Sequence, residues 1–334
     1  MRAAVAGAGV RAWAPATSAN LGPGFDAAGL ALDWWDTLEV APQGSGEPQG
    51  PEGSGESFGG APVGQAMVRH RASTSIRVSG EHAEAIPVGR GNLVLRAMLR
   101  LAAEVGSDLP ALHMSLVKGF PLGRGFGSSA AAVALGLLAA RALLAPELPL
   151  GEVLTLATAL EGHPDNVAPC LQGGATLCWS EAGVVRSRAV PVHPELTAVA
   201  LVAPEPMPTA QARRLLPTQV RFAAAARSVG RAALLPLALG GDFDLLLPAT
   251  EDVLHQPARL AGAPRAARML ELLRGRGRAA FLSGAGPSLL VLCARASMAR
   301  ARADAEEALA ASGAEGWQVR TTALARVGAH AESA

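Results

Sequence analysis

Most of the chain shows either the alternation of a strand or the spacing of a helix. Residues 112–120 alternate between apolar and polar side chains, which predicts a strand, and the apolar run at residues 128–144 predicts a helix. The same patterns predict helices over residues 92–105, 151–160, 209–215, 220–239 and 297–311, strands over 73–79, 197–203 and 318–327, and a strand, turn and strand over 278–293.

Two stretches interrupt these patterns. Residues 14–32 place loop-forming Thr, Ser, Asn, Gly, Pro and Asp between two apolar segments, so we expect a loop whose many polar groups need partners. Within it, Asn20 and Asp26 are either binding residues or turn residues that bond their own backbone. Residues 41–64 are rich in Gly, Pro, Ser and Glu, which predicts a surface insertion.

A glycine-rich segment, PLGRGFGSSAA, joins a predicted strand to a predicted helix. Gly123, Gly125 and Gly127 lack a Cβ atom, so the backbone can approach an anion closely. Ser128 or Ser129 is predicted to cap the helix, whose free N–H groups and positive end would face that anion. The segment therefore predicts a polyphosphate site, although alternating glycines also occur in simple tight turns.

Other nucleotide-binding patterns fit poorly. A Walker A loop needs a lysine after its last glycine, whereas Gly127 is followed directly by Ser128. Lys118 is the only lysine and lies before the loop, which argues against a P-loop ATPase, a protein kinase and a Schiff-base enzyme. Residues 7–12 imitate a dinucleotide fingerprint, but too few residues precede them to form its strand.

Composition narrows the class of protein. A chain of 334 residues, 50% of them hydrophobic, can fill one large core or two medium ones, and we expect two domains. The net charge of +1 without a basic block gives no sign of a nucleic-acid partner. The 3 cysteines form no C-x-x-C pair, which favours reduced thiols. No signal peptide is expected, because the N-terminus lacks a charged region followed by a long apolar core. No membrane span is expected either, because Arg141 interrupts the apolar run at 128–144.

Several motifs resemble those of a known family. GRGFGSSAA is similar to the second motif of the GHMP kinases, the superfamily of galactokinase, homoserine kinase and mevalonate kinase, with Phe126 in place of the usual leucine. Residues 14–32 resemble the first motif of the homoserine kinases within that superfamily, and EGHPDNVAP at 161–169 resembles their third signature. QARRLLP at 211–217 and SGAGP at 283–287 resemble two further segments of the family.

The resemblance implies an α+β, two-domain GHMP-kinase fold. An N-terminal mixed α/β nucleotide-binding domain would cover residues 1–188, and a C-terminal ferredoxin-like α/β domain would cover residues 189–334. The resemblance also implies ATP and Mg²⁺ as cofactors, a cytoplasmic location, and a homodimer without nucleic-acid or membrane partners.

The family motifs also imply roles for particular residues. The implied ATP-binding residues are Asn92, Pro121, Leu122, Gly123, Arg124, Gly125, Phe126, Gly127, Ser128, Ser129, Ala130 and Ala131. The family places its adenine pocket near Asn92, although this residue is also a plain helix N-cap. Ser129 matches a metal ligand of the family, and Glu161 matches a second one if a gap is allowed in its helix.

For the substrate, the resemblance implies phosphorylation of the side-chain hydroxyl of L-homoserine, on the route to threonine. Asp26 is expected to meet the ammonium group of the substrate, and Asn20 to orient its hydroxyl. The match of QARRLLP to the family segment implies that Arg213, rather than Arg214, binds the substrate carboxylate. Arg259 is expected to bind the same carboxylate, because the guanidinium fork matches a carboxylate bidentately.

His163 and Asn166 are expected to line the same pocket. Other GHMP kinases carry an aspartate assigned as base near the position of Asn166, and an amide cannot accept a proton. Asp165 is therefore a possible proton acceptor, and Asn20, Asn166 and Arg259 are the candidate catalytic residues. Two alternatives stay open: a GHMP kinase for another alcohol, such as mevalonate or shikimate, and a nucleotide-binding paralogue without catalysis.

Overall fold

The computed structural model describes residues 9–43 and 74–334, which form two β-sheets with flanking helices. The surface insertion predicted at 41–64 lies outside the described residues, except for residues 41–43. The first residues of the dinucleotide-like segment at 7–12 also lie outside them.

The strands are β1 (Val10–Ala19), β2 (Ala28–Pro42), β3 (Ser75–Gly80), β4 (Leu112–Lys118), β5 (Ala175–Glu181), β6 (Val184–Val190), β7 (Leu196–Val202), β8 (Ala279–Leu282), β9 (Leu289–Ala294), β10 (Gln318–Thr322) and β11 (His330–Ser333). The α-helices are α1 (Leu93–Glu104), α2 (Ser128–Leu144), α3 (Leu150–Glu161), α4 (Val167–Gln172), α5 (Thr209–Arg214), α6 (Phe222–Gly240), α7 (Leu246–Ala249), α8 (Gln256–Leu260), α9 (Pro264–Gly275) and α10 (Met298–Ala311).

The first sheet runs β11-β1-β2-β4-β3, and β5 and β6 extend it beside the start of β2. Its pairs are antiparallel except for β3 with β4. α2 packs between β1 and α1, and most of its Ala, Leu and Val side chains are buried. A helix that is apolar on all sides belongs in a core, so its first turn is held firmly at the end of the glycine-rich segment.

The second sheet has the antiparallel order β10-β7-β9-β8, which is the strand order of a ferredoxin-like fold. Side chains of β7 alternate between its faces, as the strand period requires. Val199 and Leu201 join a core with α9 and α10, whereas Ala198 and Ala200 join the large core that continues to the first sheet. The two sheets together agree with the predicted α+β fold.

The predicted division between residues 188 and 189 falls near the end of β6, which belongs to the first sheet. The chain returns to this sheet in β11, which pairs with β1. The division into two domains therefore stays a prediction, since one core cluster contains residues of both sheets.

The loop predicted for residues 14–32 is wrong over most of its length. β1 continues to Ala19 and β2 begins at Ala28, so only the residues between them form a turn. Thr17 and Ser18 are tolerated in a buried strand because their hydroxyls have partners in Asn166 and Ser283. The patterns also missed the strands β5, β6 and β11, the short helices α4, α7 and α8, and the arginine-rich α9.

α6 is the one described helix that is long and apolar enough, by length and composition alone, to cross a membrane. A single helix of this kind is only a weak indication of a membrane span. Only 22% of the most apolar 18-residue stretch of α6 is buried, and the side chains of Phe222, Val229 and Leu237 are exposed.

Candidate active site

A cavity of about 280 Å³ is lined by residues that are far apart in the sequence. Most of the predicted site residues line it: Asn20, Asp26, Asn92, Leu122, Gly123, Gly125, Gly127, Ser128, Ser129, Glu161, His163, Asp165, Asn166, Arg213 and Arg259. Pro121, Arg124, Phe126, Ala130 and Ala131 do not. We call the part around residues 122–129 the loop end, and the part around Asp26, Arg213 and Arg259 the charged end.

At the loop end, the predicted serine cap is wrong. The N-cap of α2 is Gly127, in the left-handed conformation with φ 66°, and no side chain caps the helix. Ser128 instead accepts a hydrogen bond from Lys118 Nζ at 3.1 Å. The N–H groups of the first turn are therefore left for a ligand, as a phosphate-binding helix start requires.

Gly127 is required by its neighbours as well as by its backbone angle. A Cβ atom there would lie 1.9 Å from Thr17 Oγ1 and 3.1 Å from Asn166 Oδ1. Thr17 Oγ1 lies 2.8 Å from Asn166 Oδ1 in a hydrogen bond. The glycine thus lets the loop pack directly against Thr17 and Asn166, whose hydrogen bond orients the Asn166 amide.

Arg124 and Phe126 support the loop from behind. The Arg124 guanidinium donates to the carbonyl oxygens of Leu122 at 2.5 Å, Ala203 at 3.1 Å and Pro204 at 2.6 Å. Phe126 is buried against Trp34. The side chains of Ala130 and Ala131 are fully buried in the core, so neither they nor the Arg124 side chain faces the cavity.

Ser129 and Glu161 meet at the loop end. Ser129 Oγ donates to Glu161 Oε1 at 2.5 Å, which brings the two predicted metal ligands together. Burial raises the pKa of the Glu161 carboxyl above its usual range, while the Ser129 hydrogen bond opposes that rise. A hydroxyl, a carboxylate and the phosphates of a nucleotide are oxygen donors of the kind that Mg²⁺ prefers, so these residues fit the ion. The described residues hold no group of three or more His, Cys, Asp and Glu that could bind a metal by themselves.

The prediction missed a buried ion pair beside the loop. Lys118 Nζ contacts Asp36 Oδ2, both side chains are almost fully buried, and both residues line the cavity. Burial raises the pKa of Asp36, and the charge of Lys118 opposes this effect. The sequence held one signal for this pair, since Lys118 is the only lysine in the chain.

At the charged end, Arg213 Nη2 donates to Asp26 Oδ1 at 2.6 Å. Arg259 lines the same part of the cavity, and burial, followed by the charge of Arg213, lowers the pKa of the Arg259 guanidinium. The guanidinium carbons of Arg213 and Arg259 lie 5.8 and 5.3 Å from the centre of the Phe25 ring, within range of a cation–π interaction. Two positive groups and one negative group thus share one small region.

Asn20 has both polar atoms of its amide engaged. Its Oδ1 accepts from the Asp26 backbone N–H at 3.1 Å, and its Nδ2 donates to the Gly284 carbonyl at 2.9 Å. Both Asn20 and Asp26 have positive φ angles, so the amide stabilises an unusual turn that presents the Asp26 carboxylate. Of the two interpretations of Asn20, this geometry favours the turn residue, although Asn20 also lines the cavity.

His163 and Asp165 also line the cavity. His163 Nδ1 lies 3.4 Å from Asp165 Oδ1, and the Asp165 carboxylate raises the pKa of His163. Asp165 Oδ1 is buried, and within the described part of the chain this long contact with His163 is its only polar side-chain contact. It can therefore accept from a donor that enters the cavity.

Asn92 acts as the predicted N-cap of α1. Its Oδ1 accepts from the backbone N–H groups of Val94 at 3.0 Å and Leu95 at 3.3 Å, and its Nδ2 donates to the Pro87 carbonyl. Asn92 also lines the cavity together with Ile86 and Pro87, which sequence patterns did not single out.

Comparison with known proteins identifies the family. The model of the GHMP kinases N terminal domain matches residues 92–174. A homoserine kinase of Cutibacterium acnes is 40% identical over 86% of this chain and 89% of its own length, and one of Leifsonia xyli subsp. xyli is 39% identical over 94% and 89%. The chain belongs to the homoserine kinase family.

Membership of the homoserine kinase family makes the chain an ATP-dependent small-molecule kinase of the GHMP superfamily. The crystal structure of a homoserine kinase from Cytophaga hutchinsonii superposes with a TM-score of 0.78 at 25% identity, covering 97% of each chain. The predicted GHMP-kinase fold and the predicted family are therefore confirmed.

Proposed function

We propose that this chain transfers the γ-phosphoryl group of ATP to the side-chain hydroxyl of L-homoserine, giving O-phospho-L-homoserine on the route to threonine. The observation that carries the proposal is the charged end, where Asp26 and Arg213 lie 2.6 Å apart beside Arg259. An amino acid carries an ammonium and a carboxylate on the same carbon. A carboxylate and two guanidinium groups in one pocket are the complementary set.

The ion pair between Asp26 and Arg213 is itself a reason to expect a zwitterion. Each side chain is about one-third exposed, so the pair can open without leaving a buried charge unpaired. The substrate ammonium would meet Asp26, and its carboxylate would meet Arg213 and Arg259. The Nε atom of Arg259 is buried without a hydrogen-bond partner among the described residues, which makes it a free donor for such a carboxylate.

The loop end would bind the polyphosphate. Gly123, Gly125 and Gly127 line the cavity, and the free N–H groups of the first turn of α2 face an anion favourably. Lys118, paired with Asp36, donates to Ser128 Oγ beside these groups. These groups would hold the phosphates in position, which is most of what phosphoryl transfer requires of a protein.

Ser129 and Glu161 would hold Mg²⁺ with the phosphates. When bound, the ion neutralises charge that develops on the transferred phosphoryl group. The hydrogen bond between the two side chains and the raised pKa of Glu161 support this assignment, because they mark a half-buried carboxylate whose charge a bound cation would neutralise.

The proton of the substrate hydroxyl has one candidate acceptor in the wall of the cavity. Asn166 shares a hydrogen bond with Thr17, and its amide can orient a hydroxyl but cannot take a proton. Asp165 Oδ1 is buried at the cavity and is held only by the long contact with His163, so Asp165 is the proposed acceptor. A loose transition state places little demand on a base, so we expect its contribution to the rate to be small.

The experiment is ATP-dependent phosphorylation by the purified protein with Mg²⁺, offering L-homoserine, mevalonate and shikimate in parallel. ADP release and the phosphorylated product are both measured. We expect turnover with L-homoserine alone, since neither mevalonate nor shikimate carries an ammonium group for Asp26. Turnover with another alcohol, or ATP binding without any turnover, would overturn the proposed substrate.

The homodimer expected from the family is proposed to form through α6. One exposed face of α6 is a stripe without charged side chains, and the order of side-chain sizes along it is similar from either end. Large side chains lie at the ends, alanines lie inside them and a valine lies at the centre: Phe222, Ala226, Val229, Ala233 and Leu237. A twofold interface pairs the same surface with itself, and an antiparallel pair of α6 helices would match large ends with large ends.

Light scattering after gel filtration tests the dimer. The variant Phe222→Ser/Val229→Ser is expected to elute as a monomer, because both side chains, 89% and 71% exposed, would lose their apolar partner. Val327→Ser changes another exposed valine, which lies outside α6, and should leave the dimer intact. A monomeric wild-type protein, or a dimeric double variant, would contradict the proposal.

A further inference from the structure

We propose that His255 is a positioning residue which, as the neutral tautomer protonated at Nε2, connects the Gly22 turn to Arg259 and so holds this arginine for the substrate carboxylate. The inference rests on the proposed function for the identity of that carboxylate. The connection itself is a property of the folded chain, and it can be tested without any substrate.

The hydrogen-bond partners of His255 determine its tautomer. The side chain is buried, with Nε2 2.7 Å from the Gly22 carbonyl oxygen and Nδ1 3.1 Å from Arg259 Nη1. A carbonyl oxygen only accepts, so Nε2 must carry the proton. A guanidinium only donates, so Nδ1 must be bare. Both bonds exist together only in the neutral ring.

Arg259 is oriented by this contact and one other. Its Nη1 also donates to the Gly284 carbonyl at 3.1 Å, and Asn20 Nδ2 donates to the same oxygen at 2.9 Å. The bonds to His255 and Gly284 use the Nη1 atom of the guanidinium, while its buried Nε has no partner among the described residues. The unpaired donor is what a carboxylate ligand would satisfy.

Phe25 links His255 to the substrate side of the pocket. Its ring centre lies 5.1 Å from that of His255 and 5.3 Å from the Arg259 guanidinium carbon. Gly22 and Phe25 both belong to the turn that carries Asp26. A shift of His255 would therefore move groups that are proposed to bind both charges of the amino acid.

The charged groups around His255 agree with a neutral ring. Burial is the main cause that lowers the pKa of His255, and Arg259 lowers it further, while Asp252 and the more distant Asp26 raise it. Asp252 Oδ2 lies 3.6 Å from Nε2 but already accepts from the backbone N–H groups of His255 and Gln256. Protonation at Nδ1 would set a donor against the Arg259 donor and break the connection.

The kinetic test compares two substitutions. His255→Phe keeps an aromatic ring but removes both hydrogen bonds, and it is expected to raise KM for L-homoserine about tenfold or more with KM for ATP within about twofold. His255→Asn retains an acceptor near the Nδ1 position and should restore part of the loss. His113→Phe makes the same change on the exposed face of β4, outside this cavity, and should alter neither KM. Equal effects of His255→Phe on both KM values would overturn the inference.

A second measurement needs no activity and uses His255→Phe only to assign the signal. Nitrogen NMR of the histidine side chains in the wild-type protein should show one ring, absent from the spectrum of His255→Phe, that stays in the neutral Nε2–H form down to a pH below the ordinary histidine pKa of about 6.5. If that ring is the Nδ1–H tautomer or is charged at pH 7, the inference fails even if L-homoserine is phosphorylated. If the tautomer is as expected but no L-homoserine is phosphorylated, only the proposed substrate fails.

Discussion

The loop end and the charged end of the cavity are built in different ways. The loop end consists mainly of one continuous segment, residues 122–129, and it presents backbone N–H groups at a helix start. The charged end consists of side chains from separate segments, with Asp26 before β2, Arg213 in α5 and Arg259 in α8. Backbone groups have a geometry dictated by local conformation, whereas these side chains meet only after the whole chain has folded.

This difference predicts how each end responds to substitution. A change in the loop alters the position of the backbone and therefore damages every ligand contact at once. A change of one charged side chain removes one partner of one substrate group. We therefore expect effects on rate from the loop end and effects on the binding of a single substrate from the charged end.

The largest effect is expected for Gly127→Ala. The new Cβ atom would lie 1.9 Å from Thr17 Oγ1, in a left-handed conformation that disfavours alanine, so the loop must move. A displacement of about 1 Å can cost about 10²-fold in rate, and kcat/KM for both substrates should fall by at least that factor.

Gly106→Ala is the matched control for this change. Gly106 has a similar φ of 64°, but nothing lies within 4 Å of its added Cβ, so it carries the strain without the overlap. Steady-state kinetics of the two variants separate the effect of the steric overlap at Gly127 from that of the backbone strain that both positions share. A loss below about tenfold for Gly127→Ala would show that the loop tolerates this movement.

Arg213→Ala should raise KM for L-homoserine by about 10²-fold, because a hydrogen bond to a charged group contributes about 1.5–3 kcal/mol. KM for ATP should stay within about twofold. Arg214→Ala is the control, since Arg214 is exposed and does not line the cavity. Equal increases in both KM values for Arg213→Ala would remove Arg213 from the charged end.

Glu161→Gln is expected to raise the Mg²⁺ concentration for half-maximal activity about tenfold, because an amide binds the ion more weakly than a carboxylate. As pH is lowered, Glu161 becomes protonated and binds Mg²⁺ more weakly. Because the pKa of Glu161 is raised, this loss of affinity in the wild-type protein should begin at a higher pH than it would for an ordinary glutamate. Glu152→Gln, on the exposed side of the same α3 helix, should have no effect on the titration. An unchanged Mg²⁺ titration for Glu161→Gln would exclude Glu161 as a ligand.

The smallest effect is expected from Asp165→Asn. The Asp165 carboxylate raises the pKa of His163, so the pair stabilises the fold below the ordinary histidine pKa and this contribution is lost as pH rises through the raised pKa. Thermal unfolding between about pH 5 and pH 8 should show a pH-dependent part, below about 1 kcal/mol, that the variant lacks.

The same variant bears on catalysis. The kcat of Asp165→Asn is expected to fall, but by less than about 10²-fold, and an unchanged kcat would show that Asp165 is not the proton acceptor of the reaction. A fall of more than about 10²-fold would instead show that the base matters more than a loose transition state requires.

Much of the loop end could be predicted from local sequence. The alternating glycines, the strand before them and the apolar helix after them are all properties of neighbouring residues, and α2 was predicted with its observed bounds. The helix cap was predicted wrongly, because the left-handed Gly127 starts the helix and leaves Ser128 to Lys118. Only packing against β1 revealed that Thr17 requires the glycine.

The buried pair of Lys118 and Asp36 could not be predicted from spacing. The two residues lie on β4 and β2, and their charges tolerate burial because each is the partner of the other. Arg124 was predicted to contact ATP because it lies within the family motif, yet its guanidinium bonds carbonyl oxygens behind the loop. The position of a residue within a motif does not determine the direction in which its long side chain points.

The sequence by itself determined the family, the phosphate loop and most of the helices and strands, because each depends on residues that are close together in the chain. Only the tertiary structure decided that Asp26 pairs with Arg213, that Ser129 reaches Glu161, and that His255 lies against Arg259. Charges and hydrogen bonds act over a few ångströms. Local sequence can therefore name the groups of such a site, but folding must bring them within reach of one another.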